Sequence, residues 1–314
     1  MRIAFIVDTF PVVSETFIIN QVADLLDRGV DVDVFAFNRG EAELASNRYA
    51  EYRMSERTHY LDKPRSKLGR CLLSFLPAVQ LLLRGRILRY LRRILAGGQA
   101  GPLQLLYGAA WFSGRRFDLI HCHFGTTAVQ FLAVMDVLGL ETPLVTSLYG
   151  YDVSFVFRES PAGFYDRLKR ECSRFFVMSN DMKRRVLAHG FPEEKVTVLP
   201  VSIDVAAYPF SERRCRPGAP VEILSVGRMV EKKGFDDLLR ALAIVKSRTG
   251  RAFHCSIVGG GELAGPMREL ASSLGLDERV EFKGSMKLDD ILALLPRMHL
   301  LVAASKTAAD GDME

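Results

Sequence analysis

The sequence predicts an α/β protein built from two Rossmann-like, parallel-sheet domains facing a cleft. Three observations carry this. Apolar runs of strand character alternate with amphipathic helix patterns in two separate blocks. Between the blocks, residues 206–220 ("AAYPFSERRCRPGAP") mix Pro, Gly and Arg without periodicity, which marks a linker. The length of 314 residues, at roughly 150 per domain, leaves room for two cores. The expected division is therefore an N-terminal domain over 1–205, the linker, and a C-terminal domain over 221–314.

The first block opens on "RIAFIV", a strand whose following Asp8 and short apolar run do not match a signal peptide. A helix is expected from Ser14 to Arg28, with Ser14 as N-cap and Phe17, Ile18, Val22, Leu25 and Leu26 as its apolar stripe. Gly29 supplies the left-handed residue that ends it, and "DVDVFAF" completes a βαβ unit. Alternation resumes with "FDLIHCHF", a helix through "AVQFLAVMDVLG", then "PLVTSL", "RFFVMS", the helical "MKRRVLAHG" and "KVTVLP". The second block reads "VEILSV", a helix from Phe235, "AFHCSIVG", a helix from Glu262 to Leu274, "RVEFKG", "LDDILALL" and "HLLVAAS". Strands spaced by helices of about 10–15 residues call for parallel sheets.

Charge is unevenly placed. The chain carries +5 overall, yet Lys63 to Arg116 holds eleven Lys or Arg and no Asp or Glu, so the remainder is net acidic. This basic helical insertion, at about 63–116, contains "LLLRGRILRYLRRIL", where Leu81, Leu82, Leu88, Leu91 and Leu95 are interleaved with Arg84, Arg86, Arg89, Arg92 and Arg93. Such a helix is expected to lie on an anionic membrane surface, the plain alternative being a core-packed helix with solvated arginines. No nucleic-acid recognition motif accompanies the charge. The longest apolar run, "CLLSFLPAVQLLL", is shorter than the ~20 residues a bilayer span needs and contains Pro77 and Gln80. Five scattered cysteines without a CxxC pair fit a reducing compartment, hence the cytoplasm.

In open parallel sheets, ligands sit at the carboxyl ends of strands. There, "GRMVEKKG" places Arg228 and Lys233 together, Gly227 allows close approach to a ligand, and Gly234 precedes a helix whose free N–H groups favour an anion. This is a pyrophosphate seat, with a solvated turn as the bland reading. "SIVGGGELA" shows Gly259, Gly261 and Ala264 in GxGxxA spacing. A dinucleotide site wants an acid roughly 20 residues on, at the end of the next strand, whereas Glu281 falls near the start of "RVEFKG". The glycines therefore read as a close backbone approach to the same phosphates. His121 and His123 lie two apart on one face of a strand end and are candidates for a metal, for a group beside the reacting atoms, or for structural histidines of the core. No Cys or carboxylate cluster of ligand spacing accompanies them. Asp310 and Asp312 read as a short acidic loop rather than an Asp-x-Asp metal pair.

Together these residues resemble the retaining, nucleotide-sugar-dependent glycosyltransferases of family 4, the glycogen-synthase-like group with two-lobed GT-B architecture. "VGRMVEKKG" is similar to their "VGRL…EKG" element, "IVGGGEL" to the G-x-G that follows, and "HCHFG" to the N-domain histidine strand. "FPVVSETFIINQV" and "TAADGDME" resemble a subgroup that builds bacterial exopolysaccharides such as colanic acid. The resemblance implies catalytic roles for His123, Arg228, Lys233 and Glu314, the last matching the first Glu of a Glu-pair motif that contacts the donor sugar. It implies donor binding by Gly227, Arg228, Lys233, Gly259, Gly261 and Glu262, and an acceptor side lined by Ser14, Glu15 and Thr16. Family members need no cofactor and no metal. The resemblance further implies a UDP- or GDP-sugar donor, a lipid-linked glycan acceptor at the inner face of the cell membrane, and retention of anomeric configuration.

Three departures from the family pattern stand out. Tyr149 in "SLYGYD" occupies a position where relatives usually have His, Ser202 one where they usually have Gly, and the second Glu of the pair is absent. The second domain is accordingly expected to be incomplete. Two other readings fit the same residues: a non-catalytic membrane-binding fragment, and a GT-B nucleotide-sugar epimerase.

Overall fold

A computed structural model of the chain describes every residue except 62, 63, 65, 98–100, 202, 204, 206, 207, 209, 211, 313 and 314. Lys63, Ser202 and Glu314 therefore lie outside the described residues. The chain forms two compact units. One comprises Met1–Phe10, Gln21–Gly40 and Glu51–Val201, the other Pro11–Asn20, Glu41–Ala50 and Ser202–Glu314.

In the first unit, strands β1 (Arg2–Phe10), β2 (Asp31–Arg39), β3 (Thr58–Tyr60), β4 (Leu119–His123), β5 (Leu144–Leu148), β6 (Arg174–Val177) and β7 (Val196–Val198) form one sheet. Its order is β3-β2-β1-β4-β5-β6-β7 and every pairing is parallel. The strands are short apolar runs because a parallel sheet is covered on both faces; all of β5 is buried. The helix Gly125–Leu138 is buried on most of its circumference and packs on the sheet beside Phe35, Phe112 and Phe117. Phe112 meets Phe131 of that helix edge-on at 5.0 Å. The order reverses between β1 and β4, which makes the carboxyl ends of those strands the topological switch point.

Two local expectations change. Ser14 does not cap the first long helix: it sits exposed inside a 3-10 turn over Val13–Glu15, and the α-helix runs Thr16–Asp27. That helix buries Ile18, Ile19, Val22 and Ala23, and Gly29 takes φ +74° at its end. The basic segment is not one helix. It divides into helices Lys67–Leu73, Phe75–Leu83, Ile87–Leu95 and Pro102–Phe112, and Gly85, at φ +65°, marks the break within "LLLRGRILRYLRRIL". Leu81 and Tyr90 turn inward, while Leu82, Leu83, Leu88, Leu91 and Leu95 are exposed. Several of its arginines engage the protein itself: Arg84 Nη1 donates to Ser113 Oγ at 3.2 Å, Arg93 Nε lies 3.1 Å from Asp136, and Arg115 Nη1 lies 3.0 Å from His59 Nε2. Among the described residues no helix is long and apolar enough to cross a membrane.

In the second unit, β8 (Val221–Val226), β9 (Phe253–Val258), β10 (Val280–Gly284) and β11 (Leu300–Leu301) form a parallel sheet ordered β10-β9-β8-β11. The helix Phe235–Thr249 buries Phe235, Leu238, Leu239 and Leu242 against Ile223, Cys255 and Ile257. Asp236 and Asp237 in its first turn complement the helix N-terminus. Here the order reverses between β8 and β11.

Candidate active site

The switch point of the second unit is built by the loop after β8. Its backbone is laced to the loop after β9: Gly227 N donates to Val258 O at 3.0 Å, Met229 N to Gly260 O at 2.8 Å, and Leu263 N to Met229 O at 3.0 Å. Met229, 1 % exposed, anchors the loop in the core. The glycine-rich segment is demanded by this lacing. Gly259 has φ +139° and a Cβ there would stand 1.8 Å from Gly227 O; Gly261 has φ +148° and a Cβ would stand 2.7 Å from Met229 O. The backbone these glycines approach is that of the cationic turn. Glu262 is exposed where this loop turns toward the helix Ala264–Ser273.

Three cations leave this turn and the structure sorts them. Arg228 is exposed. Lys232 is buried and pairs with Asp312 at 2.9 Å. Lys233 is half-buried, its alkyl stem laid across Gly227, where a Cβ would lie 3.3 Å from Lys233 Cδ. Gly234 follows at φ +62°; a Cβ would meet Ala304 O at 2.0 Å, so only glycine permits the helix to start there. The segment after β11 straps the turn in place. Lys306 N donates to Lys232 O at 2.8 Å, Ala309 N to Glu231 Oε1 at 2.9 Å, and Lys306 Nζ to Asp236 and Asp237 at 2.8 and 2.9 Å. Those two carboxylates hold the Lys306 ammonium above its ordinary pKa. Arg228 and Lys233, ahead of a helix N-terminus, can bind a diphosphate and stabilise charge developing on it. Asp312 thus serves as the partner of Lys232, and its N–H bonds Asp310 Oδ1 at 2.8 Å. Among the described residues no group of three metal-ligating side chains converges.

In the first unit, β4 ends in a ladder of rings. His121 and His123 stack at 4.5 Å between ring centroids, His121 Nε2 lies 2.9 Å from Ser147 Oγ, and His123 Nδ1 lies 2.9 Å from Tyr149 Oη. Both histidines are buried and uncharged: burial pulls His121 down to about 4, and burial plus the neighbouring His121 pulls His123 well below the usual range. His123 Nε2 is buried without a hydrogen-bond partner among the described residues. Such an atom is costly to leave unmade, which fits a group awaiting a ligand.

Asp152, fully buried, organises this end of the sheet and was missed from sequence. It accepts from Gly125 N at 2.9 Å, Tyr149 N at 3.0 Å and Tyr165 Oη at 3.0 Å. Burial pushes its pKa up to about 6 against the pull of these bonds. The signal was present: an acid three residues after Tyr149 has capping-box spacing. It holds the turn after β5 to the turn after β4, where Phe124 takes the strained φ +72°. Glu15 and Thr16 are half-buried beside exposed Ser14 in the turn that follows β1. Glu314 lies outside the described residues.

Comparison with known proteins gives this geometry a family. The profile described as Glycosyltransferase Family 4 matches residues 14–207, and that described as Glycosyl transferases group 1 matches residues 211–311. The putative colanic acid biosynthesis glycosyltransferase WcaL of Escherichia coli (strain K12) is 29% identical over 332 residues, covering 100% of this chain and 78% of that protein. The amylovoran biosynthesis glycosyltransferase AmsK of Erwinia amylovora is also 29% identical, over 323 residues with the same coverage. Among solved structures, Anabaena Alr3699/HepE in complex with UDP-glucose superposes with a TM-score of 0.65 at 18% identity, covering 99% of this chain and 75% of that one, a likeness of fold that is GT-B. Since the family 4 profile alone spans most of the chain and a second glycosyltransferase profile resumes where it stops, this protein belongs to glycosyltransferase family 4.

Proposed function

We propose that the protein transfers a sugar from a nucleotide-sugar donor, UDP- or GDP-linked, to a lipid-linked oligosaccharide during exopolysaccharide assembly, with retention of anomeric configuration. The observation that carries the reading is the turn after β8, which brings Arg228 and Lys233 together after a parallel strand and directly ahead of the helix Phe235–Thr249. In this reading the two cations hold the donor diphosphate and the helix N-terminus adds its dipole. As the bond between the anomeric carbon and the phosphate oxygen breaks, the leaving diphosphate gains negative charge that the fixed cations stabilise. The acceptor hydroxyl attacks from the face the diphosphate leaves, and a phosphate oxygen takes its proton. His123, being uncharged, offers a hydrogen bond rather than a charge to the sugar. The relatives named for colanic acid and amylovoran biosynthesis support the exopolysaccharide context.

Membrane attachment belongs to the same reading. Phe75, Leu76, Leu82, Leu83, Leu88, Leu91 and Leu95 are all exposed on the helices of residues 75–95, as is Arg92, a combination of exposed apolar and basic side chains suited to anionic lipid. The test joins both parts. Donor sugars labelled with carbon-13 at C1 are supplied with a polyprenyl-diphosphate-linked oligosaccharide in anionic vesicles, and the product is read by NMR. A lengthened glycan with the donor's anomeric configuration is expected. An inverted product, or an isomerised donor formed without acceptor, rejects the proposal.

A further inference from the structure

Exposed aromatic rings are scarce in the first unit: among its described residues, only Phe75 and Tyr151 are aromatics more than a third exposed, at 69% and 44%. Phe75 belongs to the apolar helices. Tyr151 stands alone, three residues beyond the carboxyl end of β5, the position where open parallel sheets receive ligands. Its ring is already oriented. It stacks on Phe155 with centroids 5.2 Å apart and planes inclined by 15°, so the exposed face is presented flat rather than sweeping through solvent.

The mounting is rigid as well. Tyr151 is bracketed by Tyr149, whose N–H is held by Asp152, and by the fully buried Asp152 itself. Ser154 Oγ donates back to Gly150 O at 2.7 Å, closing the turn that carries Tyr151. Nearby, Tyr149 meets Phe124 at 4.7 Å and reaches His123 Nδ1. A fixed aromatic face beside uncharged hydrogen-bonding groups has the chemistry that a pyranose ring needs. One face of such a sugar carries C–H bonds, apolar and weakly positive, which pack on the negative face of an aromatic ring, while its hydroxyls seek neutral donors and acceptors.

We infer that Tyr151, backed by Phe155, is a stacking platform for a pyranose residue of the glycan acceptor. The inference rests on the transferase reading above and assigns a subsite within it.

The probes are methyl glycosides of glucose, galactose, mannose and fucose, observed by saturation-transfer NMR with wild type, Tyr151→Phe and Tyr151→Ala. Wild type should transfer saturation to the C–H protons of one sugar face for at least one glycoside. Tyr151→Phe should retain that pattern, and Tyr151→Ala should bind that glycoside roughly 5–10-fold more weakly. No transfer to any glycoside in wild type, or equal transfer in Tyr151→Ala, overturns the inference. Circular dichroism establishes that the alanine variant is folded. Calorimetry of UDP and GDP on wild type, run in parallel, reports separately on the donor reading, so the two can fail independently.

Discussion

Replacing Gly259 by Ala probes the joint between the two loops of the second unit. The new methyl would enter a backbone at φ +139°, a region that L residues adopt at a cost of about 1–3 kcal/mol. It would also stand 1.8 Å from Gly227 O, so the loops must part by more than an ångström to restore even 3.0 Å. That movement breaks or stretches the bonds from Gly227 N to Val258 O and from Met229 N to Gly260 O, each worth about 1 kcal/mol. The sum is a loss of about 3–5 kcal/mol in the second unit. Because Gly227 also supports the stem of Lys233, nucleotide affinity should fall by at least ~10-fold. Trp111, the chain's single tryptophan, lies in the first unit, so the loss should be followed by hydrogen exchange and circular dichroism rather than fluorescence. Gly265→Ala is the control: nothing stands within 4 Å of its Cβ position, and the change should be neutral or stabilise the helix by up to ~1 kcal/mol. A Gly259→Ala chain with wild-type exchange rates and nucleotide affinity would refute the reasoning.

Lys232→Met keeps the stem but removes the partner of Asp312, and should cost about 1–2 kcal/mol in chemical denaturation while Asp312→Asn added to it recovers part of that loss; equal stability of all three chains would deny the pair its role. Buried His121, held at about 4 against an ordinary 6.5, makes the unfolded chain the better proton acceptor, so its contribution to stability is complete above pH 6.5 and is lost as pH falls toward 4. Asp152, raised to about 6, acts in the opposite sense between pH 3.8 and 6. The His121→Asn chain should therefore lose about 2–3 kcal/mol less than wild type between pH 7 and 4.5 in urea titrations, and an identical pH slope would contradict the burial argument.

Much of the fold was legible because parallel strands covered on both faces read as apolar runs, and those runs match β1, β2 and β4 to β10 closely. β3 escaped because three residues, "THY", carry no measurable periodicity. The break at Gly85 escaped for another reason: a lone glycine in an otherwise helical pattern is tolerated as often as not, and only its φ of +65° decides. At the candidate site, the turn that carries Arg228 and Lys233 was legible as charge beside glycine after a strand. The pairing of Lys232 was not, since it depends on Asp312, eighty residues away. The glycine-rich loop was recognised by spacing, yet its demand for glycine comes from the packing of loop on loop. Tyr149 looked like a flaw in a pattern, and its hydrogen bond to His123 appears only once β4 and β5 lie side by side.

The proposed transfer requires the turn after β8 to hold the donor diphosphate. Calorimetric titration of UDP against uridine, and of GDP against guanosine, measures the diphosphate's share of binding in wild type and in the Arg228→Met/Lys233→Met chain. Two charge-assisted contacts predict that wild type prefers one diphosphate to its nucleoside by at least ~100-fold, and that the double variant loses most of that preference. A preference of the same size in both chains would contradict the account.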